Sequence, residues 1–121
     1  MLTVQPVSLR ALAETALAQI PDGITDLETA LHNQTGFRLD ELSPPTYATG
    51  VKIPTLVVQV HHDSSTRPED VQNIYDNLAT DDKQLLRIEG TTRRFDGYNY
   101  FPEYFPEHPE QMLNWFNTHF A

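Results

Sequence analysis

The sequence predicts a small α/β domain built on parallel strands. IPTLVVQV is short, nearly continuous in apolar residues and β-branched, as a strand covered on both faces is, and KQLLRIEG supplies a second strand ending at Gly90. Each is followed by a segment with helical periodicity, and the order strand, helix, strand, helix implies a right-handed crossover between parallel neighbours. The length of 121 residues leaves room for one domain with a modest core and none for a second. Strands are expected near 54–60 and 83–89, and helices near 8–20, 25–35, 67–79 and 109–120. The single domain 1–121 divides into a helical N-terminal region, 1–43, and an α/β region, 44–121.

The elements follow from local pattern. Between Ser8 and Ile20, Leu9, Leu12, Ala13, Ala16 and Ile20 fall at helical spacing, and Pro21 with Asp22-Gly23 ends the run. Thr25 and Glu28 have capping-box spacing, Leu27, Ala30 and Leu31 form a stripe, and Gly36 sits where a left-handed C-terminal cap belongs. Residues Asp40 to Gly50, rich in Pro, Ser and Thr, read as a connecting loop. Pro54 fits only the first position of the strand that follows, because it has no N–H for the ladder. Thr66 and Glu69 again have capping-box spacing, ahead of a face made by Val71, Ile74, Tyr75 and Leu78. Pro109 opens the last helix, whose stripe is Met112, Trp115, Phe116 and Phe120.

Composition removes several classes of function. The formal net charge of −9 disfavours nucleic acid and anionic membranes, since both need clustered Lys and Arg. No run has the length of an apolar membrane span, and MLTVQPVSLR lacks the order of a signal peptide, so the expected compartment is the cytoplasm. The absence of Cys removes disulfides, thiolate nucleophiles and thiolate metal sites. Nothing in the pattern implies a cofactor.

The segments VKIPTLVVQVHHD, KQLLRIEGTTRRFDGY and HPEQMLNWFNTHF together resemble the C-terminal part of an α/β-hydrolase, over roughly Pro44 to Phe120. The narrower similarity is to the dienelactone hydrolase and esterase-like group. The resemblance implies a truncated hydrolase-like fold in which Asp63 occupies the place of the catalytic acid, at the end of the penultimate strand. It also implies a histidine three residues after Gly90, where this chain has Arg93. The nucleophile half is missing. A serine hydrolase of this kind needs a Gly-x-Ser-x-Gly elbow on an earlier strand, and no such pentapeptide occurs here.

Each candidate residue has a plain structural alternative. Asp63 can orient a base, or it can make a turn with Ser64 and Ser65. Arg93 cannot replace the histidine, because a guanidinium keeps its proton. It is instead expected to pair with Asp63, and with His62 it is the candidate for ligand binding. His61, His62 and Asp63 are metal-ligand types, but adjacent strand residues point to opposite faces, so no metal site is expected unless the strand has ended before them. His108 lies in the loop before the last helix, and His32 and His119 read as ordinary helix residues. Tyr98, Tyr100, Phe101, Tyr104 and Phe105 form a dense aromatic cluster expected to cover the sheet or to mark a contact surface.

Three functions compete. The chain is a non-catalytic module that dimerises or binds another protein. Alternatively it is one subunit of an ester hydrolase whose serine a complementing chain supplies, or a small-molecule binding domain with a pocket near Asp63 and Arg93. Half a hydrolase sheet leaves one edge of the strand at 54–60 unpaired, and such an edge needs a cover. The N-terminal LTVQPV, the two N-terminal helices or a second copy of the chain are the candidates, and a homodimer is favoured.

Overall fold

The computed structural model describes residues 1–99 and 110–120. Its centre is a three-stranded parallel sheet, β1 (Leu2–Val4), β2 (Thr55–Val60) and β3 (Lys83–Ile88), in the order β1-β2-β3. Leu2 pairs with Leu56 and Val4 with Val58 on one side of β2, while Thr55 pairs with Lys83 and Val60 with Ile88 on the other. Every residue of β2 is buried, as its uninterrupted apolar run requires. Pro54 lies just outside the ladder.

The free edge of β2 is covered by the N-terminal segment, so neither the N-terminal helices nor a second copy is needed there. This corrects the edge argument for a dimer. After Val4 the chain leaves the sheet abruptly: Gln5 adopts a left-handed φ of 53° and Pro6 follows.

Both faces of the sheet carry core. On one, Val57 packs with Ala48, Val71, Ile74 and Leu78, which come from α3 (Pro44–Ala48), from α4 (Pro68–Asn77) and from the residue that ends α4. On the other, Leu56 and Val58 meet Trp115 of α6 (Glu110–Phe120), flanked by Leu2, Val4, Leu86 and Ile88. The α4 stripe is the expected one. That of α6 is rotated, because Met112 and His119 flank the buried Trp115 while Phe116 and Phe120 are exposed.

Helix ends differ from the sequence pattern where another partner wins. Ser8 caps α1 (Leu9–Ala16), accepting from Ala11 N at 3.0 Å, but the helix stops at Ala16. Residues 17–20 form turns instead, consistent with the bias of a residue before proline away from helix. The second helix, α2 (Gly23–Thr35), starts ahead of the Thr25–Glu28 box, which does not form because Glu28 pairs with Arg10 at 3.3 Å. It ends as expected at Gly36, with φ 78°. In α4 the cap is shifted by one residue and is one-sided: Asp70 accepts from Arg67 N at 3.2 Å, which frees Thr66 for other work.

The region read as a loop is largely ordered, with a 3₁₀ turn at Leu39–Leu42 and then α3. Pro44 and Pro45 start α3, where their missing N–H groups cost nothing, and Tyr47 ties it back by donating to Glu41 O at 2.7 Å. A short helix, α5 (Arg94–Tyr98), stands in a stretch that shows no helical periodicity in sequence. No helix among the described residues is long and apolar enough to cross a membrane.

Candidate functional site

Parallel strands in register deliver their outgoing loops to one end of the sheet. Asp63 follows β2 and Gly90, at φ 83°, follows β3; the two loops are joined directly by Ser64 N donating to Thr92 O at 3.0 Å. The turn at Asp63 and the loop at 90–93 therefore meet at one end of the sheet.

Asp63 sits at the centre of a satisfied polar cluster, with its side chain fully buried. Oδ1 accepts from Ser65 N at 2.7 Å, which closes a turn. Oδ2 accepts from the Thr66 hydroxyl at 3.2 Å and from Arg94 Nη1 at 3.0 Å. The ion pair expected from Arg93 is made by Arg94. Arg93 is the exposed residue that caps α5, and the first turn of that helix swings Arg94 inward. Arg94 is held on three further sides, donating from Nη2 to Gln5 O at 2.7 Å and from Nε to the Tyr98 hydroxyl at 2.9 Å, with its guanidinium over the Tyr98 ring.

Gln5 ties the end of β1 to β2 and to α5. Its backbone N–H donates to Val58 O at 2.8 Å, its Oε1 accepts from Val60 N at 3.2 Å and its Nε2 donates to Arg94 O at 3.0 Å. The side chain fits only because residue 97 is glycine: a Cβ there would lie 2.3 Å from Gln5 Nε2. Gln5 and Arg94 carry no motif in sequence, and Thr66 reads there only as a helix cap. The one signal available was that Arg94 neighbours the position already singled out.

The imidazoles behave differently from the expectation for adjacent strand residues. The strand ends at Val60, so His62 does not point away from His61; the two rings stack at 4.2 Å. His61 Nδ1 lies 2.5 Å from Glu89 Oε1, and His62 Nε2 lies 3.9 Å from Glu89 Oε2. His62 and Arg93 share an open concavity of about 520 Å³ with Gly90, Thr91 and Thr92. Asp63 opens instead on a second hollow of about 350 Å³ between Thr15 and the Ser64–Pro68 turn, again beside His62. The three candidate residues thus surround one end of the sheet, but Asp63 is engaged by Arg94 and neither Arg93 nor His62 hydrogen-bonds to it among the described residues.

His119, read as an ordinary helix residue, lies against the Trp115 ring at 3.9 Å and places Nε2 2.5 Å from Asp82 Oδ1. Its pKa is raised above the usual imidazole value, first by the Trp115 carbonyl that Nδ1 meets at 2.7 Å and then by Asp82, against the opposing effect of burial. Burial lowers the pKa of Arg87, which reaches from β3 to Gln59 and to Pro68 O at the start of α4. His32 is exposed on α2. His108, Tyr100, Phe101, Tyr104 and Phe105 lie outside the described residues; of the aromatic cluster, Tyr98 is described and serves Arg94. Compared with family models, with curated proteins and with solved structures, the chain has no significant match, so what it does must be argued from its own residues.

Proposed function

We propose that this chain is a non-catalytic, α/β-hydrolase-like module that works as a homodimer. The observation that carries the first half is the pairing of Asp63 with Arg94. In a serine hydrolase the buried acid holds an imidazole and stabilises its charged form; here a permanently charged guanidinium takes that role and accepts no proton. With no Gly-x-Ser-x-Gly elbow in the sequence, the strand-end cluster is structural. A fluorophosphonate probe and an activated ester test this directly: no labelling and no turnover are expected. Stoichiometric labelling of a serine in the isolated chain would overturn it.

The second half is supported by α6. Leu113, Phe116 and Phe120 are exposed on it, and from Gln111 to Ala121 the sequence contains no Asp, Glu, Lys or Arg. On a chain of net charge −9, such an uncharged apolar face is the surface that a second copy approaches with least repulsion. Sedimentation at tens of micromolar is expected to give a dimer that tightens with salt and is lost in a Leu113→Asp, Phe116→Asp variant. A monodisperse monomer across that range rules the dimer out. The competing reading, a subunit that awaits a separate serine-bearing chain, requires Arg94 to release Asp63 on assembly. No observation favours it.

A further inference from the structure

The geometry points to a metal site that the hydrolase-like layout does not contain: His61, His62 and Glu89 form an open, three-ligand site for a borderline divalent transition ion, with Zn²⁺ the natural occupant. The backbone places these groups together. His61 N donates to Ile88 O at 3.0 Å, which continues the β2–β3 ladder one step past the Val60–Ile88 pair. That step sets His61 beside Glu89 on the same side of the sheet, since register pairs place their side chains together. His62 belongs to the turn, so its ring folds onto that of His61 instead of crossing to the other face.

One ring nitrogen from each histidine and one carboxylate oxygen of Glu89 all lie within 4.8 Å of one another. A tetrahedral Zn²⁺ with bonds of about 2.0–2.2 Å holds its ligand atoms roughly 3.3 Å apart. His61 Nδ1 lies 2.5 Å from Oε1 and His62 Nε2 lies 3.9 Å from Oε2 of the same carboxylate, and ligand atoms up to 4.8 Å apart have to draw together by at most about 1.5 Å to reach that spacing. The side chains are free to do so: those of His61, His62 and Glu89 are 33%, 65% and 62% exposed. Two imidazoles with one carboxylate suit zinc and its neighbours better than magnesium or calcium, which prefer all-oxygen sites. Three protein ligands leave a coordination position for water, in the manner of exchangeable rather than structural zinc. His62 also lines the concavity formed with Gly90, Thr91, Thr92 and Arg93, so an anionic ligand of the bound ion would have a guanidinium nearby.

The test uses the full chain. Titration with ZnCl₂ is followed by calorimetry and by imidazole ¹⁵N shifts of the five histidines. One equivalent of Zn²⁺ is expected to bind and to shift the signals of His61 and His62, leaving His32 and His119 in place. His61→Ala, His62→Ala and Glu89→Gln are each expected to weaken binding by about 100-fold, at least the loss that follows removal of an outer-shell partner in known metal sites. The inference is overturned if the wild-type chain shows no saturable binding, if all five histidines shift weakly together, or if a His61→Ala, His62→Ala double variant binds as the wild type does. Loss of binding in His119→Ala alone would place the ion at the His119–Asp82 pair and overturn it equally.

Discussion

Two clusters stand a few residues apart at the same end of one sheet, and they are built on opposite principles. Around Asp63 each charged group faces an opposite charge and the main donors and acceptors are engaged, with the carboxylate itself buried. Around His61, His62 and Glu89 the groups touch one another at the surface, with His62 and Glu89 mostly exposed to solvent. The first arrangement holds elements together; the second has spare capacity for something from outside. The difference lies in the backbone: the Asp63 turn and α5 fold over their cluster, whereas His61 and Glu89 project where both strands have just ended.

Breaking the closed cluster should produce the largest effects. Arg94→Ala leaves a buried carboxylate without its counter-charge and is expected to cost about 3–5 kcal/mol in urea unfolding, the usual penalty for removing one partner of a buried pair. Asp63→Asn can keep the Ser65 turn through its amide oxygen but replaces the acceptor that Arg94 and Thr66 share with an amide NH₂, and should cost about 1–3 kcal/mol. A loss above that of Arg94→Ala would show that the acceptor shared by Thr66 and Arg94 matters more than the counter-charge. Gly97→Ala drives a methyl group into Gln5 and should cost about 1–3 kcal/mol. Combined with Gln5→Ala, it should cost less than the sum of the two single changes, because the clash disappears with the side chain.

The open cluster should barely register in the same assay. His61→Ala and His62→Ala are expected to change stability by no more than about 0.5 kcal/mol, as surface substitutions do. A large loss from either would erase the distinction between the clusters. The smallest effect concerns His119. Its pKa is raised in the folded chain, so its contribution is fully present below its ordinary value of 6.5 and is lost as pH rises through the raised one. The midpoint of thermal unfolding and the fluorescence of Trp115 should both drift in that window, and His119→Gln should flatten the drift.

The sheet was legible in the sequence because its signal is redundant. β2 is mostly apolar and fully buried at the centre of the sheet, and β3 carries the Leu85, Leu86 and Ile88 that pack beside it. Asp63 was legible as a strand-end carboxylate for the same reason. Its partner was not, because one helical turn decides between Arg93 and Arg94, and the five residues of α5 are too few to show a period. Capping boxes at Thr25 and Thr66 failed when Asp22 and Arg67 took the cap positions. Gln5 was invisible: nothing local distinguishes a glutamine that bridges 89 residues to Arg94 from one that faces water. In α6, Phe116 and Phe120 satisfy the apolar pattern as well as Trp115 does, and only the sheet surface selects which side turns inward.

The reach of Gln5 sets how the molecule opens. The amide of Val60 owes its protection to the Gln5 side chain, so its hydrogen exchange should follow the release of Gln5 rather than global unfolding. Because the same side chain holds the carbonyl of Arg94, the N-terminal strand and the short helix should come away as one cooperative unit, while the strand pair behind them stays closed.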